Sequence, residues 1–118
     1  MGYVDGYVVA VPTAKRAEYE AVARDAAAIF KEHGALEVVE CWGDDVPPGK
    51  LTSFPMAVKA EADETVVFAW VLYPSREVRD AANVKVMEDP RMKAIDPKDM
   101  PFDGKRMIFG GFEVMVRV

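Results

Sequence analysis

Residues 65 to 73 read TVVFAWVLY, from Thr65 to Tyr73, and this stretch decides the fold class. Apolar side chains occupy nearly every position. Because successive side chains of a strand point to opposite faces of its sheet, both faces here carry bulky groups. Pro74 ends the stretch, since it has no N–H for a ladder. The pattern predicts a central strand that is covered on both faces.

Three further strands are predicted around this central one. The first, Tyr3 to Val11, is rich in Val and Tyr and stops at Pro12. A second runs from Leu36 to about Asp45, and the last runs from Arg106 to Val118. The segment from 51 to 60 is interrupted by a proline and predicts an irregular stretch with one helical turn.

Two amphipathic helices connect the strands. The first has Thr13 in the N-cap position and ends at Gly34. Its apolar positions are Tyr19, Val22, Ala26, Ile29 and Phe30. The second can be capped by Ser75 and runs to about Glu88, before Pro90. The order is therefore β-α-β-β-α-β.

That order predicts an α+β protein with a ferredoxin-like antiparallel sheet and both helices on one face. The 118 residues have the length of a single domain, 1–118. We expect Ile108, Phe112, Val114, Val116 and Val118 beneath the helices, and Met107, Phe109, Glu113 and Met115 on the helix-free face. An uncovered apolar face of roughly 500 Å² is at the upper limit for a soluble monomer. The sequence therefore predicts a homodimer, with two sheets packed as a dimeric α/β barrel.

Charge and composition exclude several classes of protein. The net charge is -5, and Lys and Arg form no basic run, so nucleic acid is an unlikely partner. No apolar run reaches about 18 residues, which argues against a membrane span. A single cysteine, Cys41, favours the reducing cytoplasm. One histidine, His33, sits at the end of the first helix, and without a spaced ligand set we expect no metal and no cofactor.

One group of candidate site residues lies on the second helix. Arg76 and Asp80 are four residues apart and can pair on the surface. A solvated face is the simpler interpretation of this helix. The functional interpretation is that Arg79, Asp80 and Asn83 edge a cleft, to which Ser53 of the TSFP stretch adds a hydroxyl group.

A second group of candidates lies on the strands. We expect Trp42 and Glu40 to project onto the helix-free face beside Tyr3, Asp5, Tyr7 and Glu113. Carboxylates among aromatic rings in a desolvated dimer interior have raised pKa values, and such a group can act as a general base. The alternative is a wet interface, in which tyrosine hydroxyls and water satisfy the acids.

Four stretches also resemble signature segments of one bacterial family. They are TSFPMAV (52–58), VVFAW (66–70), YPSREVRDAANVKVMEDPRM (73–92) and MPFDGKRMIFGGF (100–112). In these the chain is similar to the YbaA-like proteins, domain-of-unknown-function family 1428. The resemblance implies a dimeric α/β barrel and no established activity. Related barrels include cofactor-free monooxygenases, isomerases and haem enzymes, but a shared fold does not carry its chemistry with it.

Two hypotheses for function follow. The first is a cytoplasmic homodimer that binds a small organic ligand, with acid-base or cofactor-free oxygenase-like chemistry. The second is a dimeric interaction module without catalysis, and RNA binding is a distant third. An open pocket with perturbed carboxylates favours the first, whereas a filled core favours the second.

Overall fold

A four-stranded antiparallel sheet organises the chain in the computed structural model, which describes residues 2 to 118. The strands are β1 (Tyr3–Pro12), β2 (Glu37–Trp42), β3 (Glu64–Tyr73) and β4 (Ile108–Glu113). The helices are α1 (Arg16–Glu32), α2 (Phe54–Ala57), α3 (Arg76–Glu88) and α4 (Pro90–Lys93). Short 3-10 turns span Thr13–Lys15, Pro97–Asp99 and Gly104–Arg106. The predicted order of strands and long helices is confirmed, and the helical turn predicted within 51–60 is α2.

The sheet has the strand order β2-β3-β1-β4, and each neighbouring pair is antiparallel. The central pair aligns Tyr3 with Tyr73 and Pro12 with Glu64, so β1 and β3 are paired over their whole length. Each crossover through a long helix skips one strand, which is the ferredoxin-like arrangement predicted from the sequence. The α+β class is confirmed.

Both long helices pack on one face of the sheet, as predicted. Under α1, Tyr19 packs with Val9, Val11, Val67 and Ala69 in a buried cluster. Under α3, Ala82 packs with Val71 and Tyr73. The core therefore lies between the sheet and α1 and α3, and it is built from the odd-numbered residues of both central strands.

The second face of the sheet is covered only at one end. There Val58, which follows α2, is fully buried against Val8, Ala10 and Val66. The remainder of this face exposes apolar side chains, which include Phe68 (44% exposed), Ile108 (44%) and Phe112 (61%). The chain itself thus leaves part of its second face without a cover.

The predicted faces of the strand residues were wrong. Tyr7 pairs with Phe109 and stacks on it, and Met107 packs against the core cluster under α1, so these residues lie on the helix side. Ile108 and Phe112 lie on the second face instead. The last strand also ends at Glu113 rather than at Val118. Sequence alternation gives two sets of side chains but does not say which set faces the helices, since both sets contain large apolar groups.

Two boundaries also differ from the prediction. Thr13 does not cap α1, because the chain first makes a 3-10 turn and Lys15 then occupies the N-cap without a side-chain hydrogen bond. The Thr13 hydroxyl instead lies 2.7 Å from that of Thr65 on β3. The second strand is shorter than predicted and ends at Trp42.

The C-terminus of α1 is closed as predicted by Gly34. Ala35 N–H donates to the Phe30 carbonyl (3.0 Å) and Gly34 N–H to the Lys31 carbonyl (3.4 Å), which is a Schellman motif. Gly34 has φ +125°, a conformation that side chains rarely adopt. The neighbouring His33 reaches across to Asp89, with Nε2 2.8 Å from Oδ2, and so ties the end of α1 to the start of α4. Hydrogen bonds from Arg91 first, and from His33, hold the pKa of Asp89 well below its ordinary value.

None of the helices formed by residues 2 to 118 has the length and apolar character that a membrane span requires.

Gly34→Ala should lower the free energy of unfolding by about 2 kcal/mol, because a Cβ in left-handed backbone is strained. It would also lie 3.2 Å from Val78 Cγ1. Gly104→Ala is the matched control, since its Cβ would meet open space. Urea denaturation at a fixed protein concentration measures both. Equal effects of the two substitutions would contradict the assigned role of Gly34.

Candidate functional site

A cleft of about 340 Å³ opens between α1 and the edge strand β2. Its helix wall carries Arg16, Tyr19, Ala23 and Arg24, and its sheet wall carries Val38, Glu40, Trp42 and Val67. Residues 16, 19 and 23 share one side of α1 because they are three or four apart. Residues 38, 40 and 42 share one face of β2 because strand side chains alternate. The crossover from α1 to β2 brings these two rows together.

A hydrogen bond between a tyrosine and a carboxylate lies within this cleft. The Tyr19 hydroxyl donates to Glu40 Oε1 at 2.6 Å. Loss of water around the carboxyl group raises the pKa of Glu40 above its ordinary value, although the hydroxyl donor opposes that rise. Glu40 is nevertheless exposed at the open side of the cleft, so it can exchange protons with solvent or a ligand. Burial raises the pKa of Tyr19, which keeps this hydroxyl a donor at neutral pH.

Trp42 and Arg16 form the end wall of the cleft. The Arg16 guanidinium carbon lies 5.1 Å from the centroid of the Trp42 ring, which is a cation–π contact. Trp42 also packs against the buried cluster under α1. The ring is therefore held by the core on one side and supports a cation on the other.

A second polar cluster lies deeper on the helix side of the sheet, on β1 and α3. Asp5 is 4% exposed and accepts hydrogen bonds from Arg79 Nε at Oδ1 (3.0 Å) and Oδ2 (3.2 Å), and Arg79 Nη2 lies 3.0 Å from Oδ1 in the same ion pair. Arg79 also donates to Asp80 at 2.8 Å and lies over the ring of Tyr3. Gly111 makes room for this arrangement, because a Cβ there would lie 2.5 Å from both Arg79 Nη2 and the Tyr3 hydroxyl. The β1–β4 register is continuous through Gly110 and Gly111.

Arg79 is thus an anchor of α3 on the sheet. Its hydrogen bonds to Asp5, and then to Asp80, raise its pKa, so the guanidinium is always charged. Tyr7 lies nearby, and burial together with the negative charge of Asp5 raises the pKa of Tyr7 to about 12. The predicted surface pair of Arg76 with Asp80 is confirmed at 3.7 Å. The polar residues Arg76, Arg79 and Asp80 of α3 are therefore explained in large part by ion pairs within the chain.

The structure separates the predicted site residues into groups. Glu40 and Trp42 line the cleft, Arg79 and Asp80 join the Asp5 cluster, and Asn83 lies 3.5 Å from the hydroxyl of Tyr73. Ser53 caps α2 by accepting from Met56 N–H (3.1 Å). Because α2 covers the opposite face of the sheet, the predicted cleft between Ser53 and Arg79 was wrong.

The predicted face of Glu40 and Trp42 was also wrong, although their association with Tyr7 and Asp5 on one face was right. All four lie on the helix side of the sheet. The carboxylates therefore face helices of the same chain rather than the helix-free face, with Asp5 buried and Glu40 exposed.

Sequence reasoning missed three cleft residues, Arg16, Tyr19 and Arg24. Tyr19 was counted only as an apolar position of the helix, and the arginines only as its polar positions. The order of the elements could have indicated these residues, because α1 connects β1 to β2 and must therefore pack beside β2. Residues on the underside of the helix then meet the inward residues of that strand.

Residues 2–104 match the family model described as protein of unknown function (DUF1428). The chain belongs to the DUF1428 family. It is 63% identical over 116 residues to the uncharacterized protein YbaA of Escherichia coli K12, covering 98% of both chains, and equally similar to YbaA of Shigella flexneri. The resemblance inferred from the signature segments is confirmed.

A solved structure of lower sequence similarity has the same fold as this DUF1428 chain. It is an uncharacterized NIPSNAP domain protein from Burkholderia xenovorans, with a TM-score of 0.62 and 17% identity, covering 98% of this chain and 99% of that one. At this identity the likeness concerns the fold alone.

Replacing Arg79 by Met should lower the free energy of unfolding by about 3 kcal/mol, because Asp5 would remain buried without its partner. Arg76→Met, on the same helix but 68% exposed, should change it by no more than about 0.5 kcal/mol. Urea denaturation at one protein concentration compares the two. If both variants lost the same stability, the Asp5–Arg79 pair would not be the anchor.

Tyr19→Phe should raise the pKa of Glu40 further, because the carboxylate loses its hydroxyl donor while staying partly desolvated. Carbon-13 NMR titration of the Glu40 carboxyl group measures this, with Tyr3→Phe as the control.

The raised pKa of Glu40 also makes the stability of the fold depend on pH. Because the folded pKa exceeds the unfolded value of about 4.3, the contribution of Glu40 to stability is complete below that value. It is lost as pH rises through the folded pKa, and Glu40→Gln should remove this pH dependence. A pKa of Glu40 that falls in Tyr19→Phe would contradict the assignment.

Proposed function

We propose that this DUF1428 protein is a cytoplasmic homodimer that binds a small organic ligand in the cleft between α1 and β2. The observation that carries the proposal is the Tyr19–Glu40 hydrogen bond of 2.6 Å within an open cleft of about 340 Å³. This volume lies in the usual range of small-molecule sites. A perturbed carboxyl group in an open cleft is also the combination that marks many catalytic sites.

The dimer is supported by the second face of the sheet. Phe68, Ile108 and Phe112 are each more than two-fifths exposed there, and Phe54 of α2 lies beside Phe68 with ring centroids 6.0 Å apart. A water-exposed apolar surface of this kind is costly, whereas a second copy of the same face would bury it. Two-fold packing of these faces would give the dimeric α/β barrel that the sequence predicts.

The chemistry that suits the cleft is proton transfer. A carboxylate whose pKa is raised is a better base than an ordinary one, and Glu40 is open to a ligand. Tyr19, whose pKa is also raised, stays protonated and can hold the carboxylate or donate to a ligand oxygen. Removal of a proton from an acidic C–H or O–H group is a step common to isomerases and cofactor-free oxygenases. The residues of the cleft thus suit acid-base chemistry.

A second candidate function is a dimeric interaction module without catalysis. It is favoured by the apolar second face, which would form an interface whether or not the cleft binds a ligand. RNA binding is a distant third, since a net charge of -5 opposes the neutralisation of phosphates.

Native mass spectrometry of gently purified protein should give twice the mass of one chain, together with any retained ligand. Ile108→Asp should shift the protein to the monomer, because it places a charge in the proposed interface. Val84→Asp on α3, a site that is 58% exposed and outside this face, is the matched control. A wild-type monomer at micromolar concentration, or equal behaviour of the two variants, would count against the dimer. A dimer in which Glu40→Gln leaves every bound ligand and activity unchanged would favour the interaction module.

A further inference from the structure

The arginines of the chain fall into two classes. Arg76, Arg79, Arg91 and Arg106 each form at least one ion pair with a carboxylate. Arg16 and Arg24, which line the cleft, and Arg117 near the C-terminus form none among residues 2 to 118. The cleft also contains Glu20 and Glu40, so what distinguishes its two arginines is that neither is engaged by a carboxylate, which leaves both cations available to an anionic ligand.

Arg16 is also held in place for a ligand. Its guanidinium lies over Trp42 at 5.1 Å, and Trp42 is fixed by the core beneath it. A cation–π contact uses no N–H donor of the guanidinium in a hydrogen bond to a carboxylate, so the planar fork of Arg16 stays available to a ligand. These donors match the two oxygens of a carboxylate, and a cation restrained in advance loses less rotational freedom when it binds.

The remaining surfaces of the cleft define the rest of the ligand. Ala23, Val38 and Val67 provide an apolar wall, and Arg24 lies eight residues from Arg16, about 12 Å further along the helix. The acidic groups that face the cleft are Glu20, which is exposed on α1, and Glu40, which is hydrogen-bonded to Tyr19. An apolar body with an anionic end therefore fits the cleft better than a cation or a sugar.

We propose that the cleft recognises a small organic carboxylate with an apolar body, and that Arg16, held over Trp42, binds the carboxylate group. This inference rests on the proposed function and adds to it the chemical class of the ligand. In this arrangement the body of the ligand lies along α1 over the apolar wall, within reach of the Tyr19–Glu40 pair. Arg16 is then a binding residue, and Glu40 is left free for proton transfer.

A pair of probes that differ only in charge tests the inference. Cinnamate carries a carboxylate, whereas cinnamamide is a neutral compound of nearly the same shape with an amide in its place. Each is titrated into the wild-type protein, and binding is followed at the indole N–H signal of Trp42 in proton–nitrogen NMR spectra. Trp42→Phe identifies that signal, since Trp70 gives the other indole signal. We expect cinnamate to bind about tenfold more tightly than cinnamamide, as a charge-assisted hydrogen bond requires.

Variants of the arginine complete the test. Arg16→Gln should reduce the affinity for cinnamate to that for cinnamamide, and Arg16→Lys should recover only part of the loss, because Lys lacks the planar fork. Arg117→Gln removes the same charge outside the cleft and should leave the affinity unchanged. Equal binding of the two probes, or an equal loss in Arg16→Gln and Arg117→Gln, would overturn the inference while the ligand-binding cleft stands. If neither probe moves the Trp42 signal, the inference is overturned, whereas the cleft as a ligand site is tested separately by native mass spectrometry of the wild-type protein and Glu40→Gln.

Discussion

The antiparallel pairing of β1 with β3 fixes the position of every other feature of the molecule. Its ten residue pairs place Val9, Val11, Val67 and Ala69 on one face, where α1 packs on them. A shift of one residue would move this set to the opposite face and bring Phe68 and Trp70 under the helices instead. The register is specified jointly by the core under the helices and by the buried Asp5, which needs its partner on α3.

Electrostatics divides the polar residues of this DUF1428 protein into two kinds. Arg79 holds α3 to Asp5, Arg91 bonds to Asp89 at the end of α3, and Arg106 bonds to both oxygens of Glu64 at 2.7 and 2.8 Å. Each of these arginines has a carboxylate partner and a structural role. The cleft differs, because Arg16 and Arg24 form no ion pair there and Glu40 is hydrogen-bonded to a tyrosine rather than to a cation. That contrast is the physical basis for placing ligand binding in the cleft.

The two faces of the sheet support two different proposals. The helix side is covered by α1 and α3 and has a cleft at the β2 edge. The second side is covered by α2 and Val58 at one end and exposes apolar groups elsewhere. Ligand binding and dimer formation thus use opposite faces. A dimer of the proposed kind would leave the cleft open on each subunit.

The sequence by itself determined the order of the elements, the cap of α3 at Ser75, the closure of α1 at Gly34 and the presence of apolar groups on both sheet faces. These features depend on local periodicity and on backbone conformations that single residues control. It also put Trp42 on the same side of its strand as Glu40, and Tyr7 on the same side as Asp5, because alternation along a strand is local. Only the tertiary structure decided which face the helices cover. Both faces of the sheet carry large apolar groups, so the sequence pattern does not show on which of them α1 and α3 pack. The same packing buried Asp5 against Arg79, placed Ser53 on the opposite face of the sheet, and set Tyr19 beside Glu40. Those contacts join residues that are distant in sequence, and a local sequence pattern does not predict which distant residues meet.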